Sequence, residues 1–217
     1  QGHFELPCLN LPNPEVRSYL FDVIRFWVDE FDIDGIRLDC ANVLDFNFMK
    51  EMRSVTSGMK DDFWLMGEVI HGDYSRWVNQ EMLHSVTNYE LHKSLYSGFN
   101  DHNFFEIAHN VRRLEAIGRQ LYTFVDNHDE DRIASKLVLK EHLFPIYLCL
   151  FTLPGIPSIY YGGEWGVEGK RSNTSDEALR PAFSMDQADE LHCELTDFLS
   201  AMGRIHDGNQ EFHGGRY

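Results

Sequence analysis

Gly35-Ile36-Arg37-Leu38-Asp39 is a short apolar run that stops on a carboxylate, and its reading decides the fold. Ahead of it, residues 13–34 carry Val16, Leu20, Val23, Ile24, Trp27, Val28 and Phe31 at helical spacing. Asn13 is placed to cap that helix and Pro14 suits its first turn. The apolar face is expected to pack on a sheet. From Asp45 onward, Phe46, Met49, Met52 and Val55 predict a second helix, stopped by Ser57-Gly58. A strand between two helices, charged where it stops, is how a parallel α/β protein presents a reactive side chain at the carboxyl edge of its sheet.

The same pattern recurs downstream. Phe63-Trp64-Leu65-Met66-Gly67-Glu68 is a second apolar run ending on an acid, and unbroken apolarity is expected where helices cover both faces of a sheet. Further strands are predicted over 85–87, 121–125 and 158–161. Helices are predicted over 76–82, 89–96, 103–117, 132–139, 142–153 and 187–202, with a Gly-rich loop over 162–175. Five strands alternating with helices, without a hairpin signal, imply a right-handed parallel sheet. It is either doubly wound or part of a (β/α)8 barrel of the TIM type. No GxGxxG or GxxxxGK[ST] follows a strand, so a nucleotide fold is not indicated.

With 217 residues, 43% of them hydrophobic, the chain can bury a full core. A formal charge of −16 repels phosphate backbones and anionic headgroups, so neither nucleic acid nor a membrane surface is an expected partner. No apolar run approaches the roughly 18 residues of a spanning helix. Cys8, Cys40, Cys149 and Cys193 show neither CxxC nor Cys/His spacing; they are read as buried thiols, which favours a reducing, cytoplasmic compartment. Trp27 and Trp77 are read as core residues.

Three strand ends carry acids, Asp39, Glu68 and Asp129. In one parallel sheet all three would point to the rim where loops build a site. Paired carboxyl groups suit glycosyl transfer: one meets the cationic anomeric carbon as an anion while the other delivers a proton to the leaving oxygen. Arg37 lies two residues before Asp39 on the same strand face and is suited to keeping it ionised. Glu68 ends an apolar strand and is suited to staying protonated. A hard cation on Asp126-Asn127-His128-Asp129 is a minor reading, because a single cluster without a spaced acidic loop is a poor calcium site. No cofactor is expected.

Gly35 to Asn42, Gly67-Glu68-Val69 and Phe124-Val125-Asp126-Asn127-His128-Asp129 closely resemble three successive signature segments of the α-amylase family of glycoside hydrolases. Leu6-Pro7-Cys8-Leu9-Asn10 is similar to a motif near the end of that family's inserted loop domain, and residues 155–162 to the motif at its eighth barrel strand. The resemblance implies a retaining enzyme acting on α-glucosidic bonds of maltooligosaccharides, starch, pullulan or cyclodextrins. In its terms Asp39 is the nucleophile, Glu68 the general acid/base, and Asp129 the third carboxylate that holds sugar hydroxyls. Arg37, Asn42, His71, Asn127 and His128 would bind or orient the α-glucan oligosaccharide. The context of Asn42 and the run from Gly67 to His71 resemble the neopullulanase and cyclomaltodextrinase branch, though Val43 and Ile70 replace its usual Glu and Trp.

The same resemblance implies a domain plan. Residues 1–12 would be a remnant of the inserted loop domain, 13–205 a partial (β/α)8 catalytic domain covering about strands 4 to 8, and 206–217 the start of a truncated C-terminal region. A partial barrel exposes two sheet edges, a liability that proteins normally cover, so a homodimer or a partner half-barrel is expected. The alternative is a weak or inactive α-glucan-binding or assembly domain of the same fold.

Overall fold

The computed structural model describes residues 7–215. The chain divides into two compact units, one up to Thr87 and one from Asn88 onward. The start of the 1–12 segment and the last two residues of the 206–217 segment lie outside the described residues.

In the first unit, helix α1 (Pro14–Phe31) begins where Asn13 Oδ1 accepts the Glu15 N–H at 2.8 Å, and it ends on the left-handed residue Asp32. Strand β1 (Gly35–Leu38) follows. Helix α2 (Phe46–Ser57) is capped by Asp45, whose carboxylate accepts the Phe48 N–H at 2.8 Å. Strands β2 (Trp64–Gly67) and β3 (Ser85–Val86) complete a parallel sheet in the order β1-β2-β3, with Gly35 opposite Trp64 and Leu38 opposite Gly67. Met49, Leu65, Leu83 and Val86 are fully buried, and Phe21 stacks on Phe48 at 5.5 Å.

Two sequence expectations fail here, each for its own reason. The predicted sheet-facing stripe of α1 is largely uncovered: Phe21 and Ile24 are its buried residues, whereas Trp27 is 45% exposed and not a core side chain. Since β1 is an edge strand, Leu20, Val23, Ile24 and Trp27 border an open groove with Ile36 and Leu38. The helix predicted over 76–82 does not form either. Instead a 3-10 turn spans Tyr74–Arg76, and Asn79 Oδ1 gathers the N–H groups of Glu81 and Met82 into a second turn.

In the second unit, helices α3 (Tyr89–Asn100) and α4 (Phe105–Arg113) precede strand β4 (Tyr122–Phe124). A short helix α5 (Ile133–Lys136), helix α6 (Leu143–Thr152), strand β5 (Ile156–Ser158) and helices α7 (Met185–Leu191), α8 (Glu194–Gly208) and α9 (Gln210–Gly214) follow. Strands β4 and β5 pair in parallel. Leu95, Ile133, Ile146, Tyr147, Leu150 and Leu199 lie in its core.

The five expected strands are present, three in the parallel sheet of the first unit and two in that of the second. Several boundaries move for tertiary reasons. Helix α5 stops after Lys136 because Asn100 clamps the extended chain beyond it, donating to Lys136 O and accepting from Val138 N, each at 2.9 Å. The last strand starts at Ile156, earlier than predicted. Gly155 has φ 146°, and a Cβ there would meet Thr123 Cγ2 at 2.2 Å, so only glycine lets β5 approach β4 this closely. The single helix predicted over 187–202 breaks at His192-Cys193, where Thr196 Oγ1 donates to Glu164 O at 3.0 Å and the chain restarts as α8.

Candidate active site

Strand β1 delivers Arg37 and Asp39, and β2 delivers Glu68 just past its last residue. The parallel register sets Leu38 against Gly67, so the two acids emerge side by side. After Asp39 the chain turns sharply at Cys40, a non-glycine residue with φ 45°. That turn aims the Cys40 N–H at Glu68 Oε2, 3.1 Å away, and the Ala41 N–H at Glu68 O, 2.9 Å away. Gly67 makes room for it: a Cβ there would stand 2.5 Å from Leu83 Cδ1 and 2.7 Å from Ala41 Cβ.

Arg37 holds both acids. Its Nη1 donates to Asp39 Oδ1 at 3.0 Å and its Nη2 lies 3.3 Å from Glu68 Oε2. The sequence expectation paired Arg37 with Asp39 and gave Glu68 an apolar setting. Glu68 is indeed buried, its side chain 7% exposed, yet it meets a guanidinium and a backbone donor; Asp39 is 74% exposed. One carboxylate oxygen from each acid and the Cys40 sulfur all lie within 4.8 Å of one another. Partial burial, then Asp39 and Glu68, push the Cys40 thiol above the usual thiol range.

All four cysteines are free thiols, as expected, but they are not buried. Cys8, Cys40 and Cys193 are exposed, and Cys149 is half-buried on α6. Asn42 lies exposed on the 3-10 turn Ala41–Val43, and His71 lies exposed three residues past Glu68.

The second unit gathers the remaining predicted residues at the end of β4. Asn127 Oδ1 accepts the N–H groups of Asp129 and Glu130 at 2.9 and 3.0 Å, and its Nδ2 donates to the Tyr89 hydroxyl at 2.9 Å. Asn127 thus shapes the turn that presents Asp129. His128 Nε2 lies 3.1 Å from Asp129 Oδ2.

A residue that the sequence reading missed completes this cluster. Arg180 Nη2 donates to Asp129 Oδ1 at 2.8 Å, and its Nε donates to His128 O at 3.2 Å. Arg180 lies 51 residues downstream, just past the glycine-rich loop, with no periodic pattern around it that could have flagged it. Arg132, fully buried, anchors that region: it donates to Tyr161 O and Leu179 O, and its guanidinium sits 4.3 Å over the Tyr160 ring.

Two further acids of this loop are perturbed. Hydrogen bonding from His92, with Lys136 adding to it, holds Glu130 down at about 2, whereas burial pushes Asp126 up to about 6. Among the described residues no helix is long and apolar enough to cross a membrane.

Residues 1–194 match the family model described as alpha amylase, catalytic domain. Among curated relatives, the cyclomaltodextrinase of Thermoanaerobacter pseudethanolicus is 33% identical over 176 residues, covering 76% of this chain and 30% of that protein. Neopullulanase 2 of Thermoactinomyces vulgaris is 35% identical over 184 residues, covering 81% of this chain and 31% of that protein. Among solved structures, the cyclic alpha-maltosyl-(1→6)-maltose hydrolase of Arthrobacter globiformis, in complex with maltose, superposes with a TM-score of 0.84 at 26% identity. That match covers 97% of this chain and 48% of the other. The chain therefore spans under a third of these curated relatives and about half of that structure.

Proposed function

Because the chain belongs to the α-amylase family of glycoside hydrolases, we propose that it is a retaining hydrolase of α-1,4-glucosidic bonds in maltooligosaccharides, starch or cyclodextrins, and of α-1,4 or α-1,6 bonds in pullulan. The observation that supports the retaining mechanism is that one carboxylate oxygen of Asp39 and one of Glu68 lie within 4.8 Å of each other, too close for a water-admitting inverting pair. Retaining pairs are spaced about 5–5.5 Å apart, whereas inverting pairs need about 6.5–9.5 Å to admit a water between acid and sugar.

Asp39, exposed and on the strand edge, attacks the anomeric carbon. Glu68 gives its proton to the departing glycosidic oxygen, and the bond to that oxygen breaks as the bond to Asp39 forms. The Glu68 carboxylate then takes a proton from water, the water oxygen displaces Asp39, and the sugar leaves with retained configuration. Arg37 fixes both acids throughout. Asn42 and His71, exposed beside this pair, are assigned to sugar contacts in the first unit. In the second unit, Asp129 with His128 and Arg180 is assigned to binding sugar hydroxyls, with Asn127 shaping the loop that presents them.

Replacing Glu68 with Gln keeps the shape of the side chain but removes its proton chemistry. Release of reducing sugar from maltotriose should then vanish while the fold, followed by circular dichroism, is retained. Undiminished hydrolysis would refute the assignment. Calorimetric binding of maltotriose without any hydrolysis by the unmodified chain would select the non-catalytic binding domain instead.

Self-association through the β1 edge belongs to the same proposal. The groove beside that edge has a volume of about 820 Å³, and Leu20, Val23, Trp27, Ile36 and Leu38 line it. Its continuity with an unpaired strand edge fits a second copy of the chain adding there; a clean monomer at micromolar concentration by ultracentrifugation would count against it. Four free thiols support a reducing compartment, and one curated relative is called an intracellular maltogenic amylase.

A further inference from the structure

We propose that His206, Asp207 and His213 form a binding site for Zn2+ that joins the end of α8 to α9. One ligand atom from each of the three lies within 4.8 Å of the others. His206 Nδ1 and Asp207 Oδ1 are 3.6 Å apart. Zinc bonds of about 2.0–2.2 Å in tetrahedral geometry set neighbouring ligand atoms about 3.4 Å apart, so the His206–Asp207 spacing is near that edge length.

The hydrogen-bond arrangement points the same way. His213 Nε2 stands 3.1 Å from His206 O, and a carbonyl oxygen can only accept, so Nε2 carries the proton and Nδ1 keeps its lone pair. An imidazole whose second nitrogen donates to a backbone carbonyl is the usual condition of a metal-binding histidine. His206 is held in place as well. It is 9% exposed, stacked on Phe212 at 5.7 Å and against Phe151 at 6.2 Å, with the His213 ring 4.7 Å away. Both histidines border a cavity of about 190 Å³ shared with Arg119, Ile156, Pro157 and Phe212, which gives an ion and its completing water a path in.

Two imidazoles and one carboxylate suit a borderline metal such as zinc, with water as fourth ligand. The other cluster of three ligating groups among the described residues, Asp39, Cys40 and Glu68, is the poorer candidate, because Arg37 already occupies both of its carboxylates.

The test is calorimetric titration of the EDTA-treated chain with zinc chloride, alongside thermal melts. One zinc per chain is expected, with a rise in Tm. Both effects should weaken at least tenfold in zinc concentration for His213→Ala and for Asp207→Ala. Asp207 is exposed, so Asp207→Ala should melt like the parent chain in EDTA; His213→Ala, which also loses the bond to His206 O, is judged by its zinc binding. Cys40→Ser should bind zinc as the parent does. Absence of zinc binding, binding unchanged by His213→Ala, or binding abolished by Cys40→Ser would each overturn the proposal.

Discussion

Arg37 Nη2 lies 3.3 Å from Glu68 Oε2, on the neighbouring parallel strand, while Nη1 of the same guanidinium holds Asp39 at 3.0 Å. One planar fork therefore sets the positions of both acids. An ammonium group is a point charge and cannot reproduce that geometry. Arg37→Lys should lower kcat on maltotriose by about 10²–10³-fold, the range seen when one aligned donor is removed from an active site. A kcat within a factor of two of the parent would show that the fork is dispensable.

Gly67 separates the Glu68 turn from Leu83 and Ala41, and a methyl group at this position has no room. Gly67→Ala should destabilise the chain by about 1–3 kcal/mol, as overpacked sites do. It should also reduce activity by displacing Glu68. Urea denaturation checks the first effect; an unchanged midpoint would mean that β2 shifts without cost.

Arg180 bonds both Asp129 and the carbonyl before it. A hydrogen bond to a charged group contributes about 1.5–3 kcal/mol. Arg180→Ala should therefore lower kcat/KM on maltotriose by about 10–150-fold. Arg180→Lys should recover part of that loss by keeping the charge. Equal activity of the alanine variant and the parent would remove Arg180 from the proposed sugar-binding cluster.

Asp126 has its carboxyl raised from 3.8 to about 6 by burial. A raised acid binds its proton more tightly when folded, so ionising it costs stability as pH climbs from 3.8 to about 6, and the whole cost is present above that. Asp126→Asn keeps an oxygen for the Ile133 N–H and removes the ionisation. It should be more stable than the parent at pH 8 by up to about 3 kcal/mol and no more stable at pH 3.5. A difference independent of pH, measured by denaturant titration, would contradict this.

Cys40 sits exposed, but partial burial, and after it Asp39 and Glu68, disfavour its thiolate. Iodoacetamide should alkylate it at pH 8 more slowly than the exposed Cys8, and Asp39→Asn should speed the reaction. Peptide mass spectrometry resolves the two sites; faster modification of Cys40 than of Cys8 would reverse the reading.

Much of this was legible along the chain because it is local. Asn13 and Asp45 cap the helices that their spacing announces, and the apolar runs before Glu68 and Asp129 become strands. Spacing could also pair Arg37 with Asp39, two residues away on one strand face. What spacing could not supply were contacts between distant segments. Asn100 ends α5 from 36 residues away, and Arg180 reaches Asp129 across 51.

By itself, then, the sequence determined the order of the strands and of most helices, the acids at the strand ends and the family whose motifs they carry, all properties of short contiguous segments. The tertiary structure alone decided that Arg37 serves Glu68 as well as Asp39, that α1 leaves half its apolar face over a groove, and that Cys40 lies open beside two carboxylates. The reason is register. Which strand lies beside β1, and at what offset, is settled by packing many residues away, and no period in the chain encodes it.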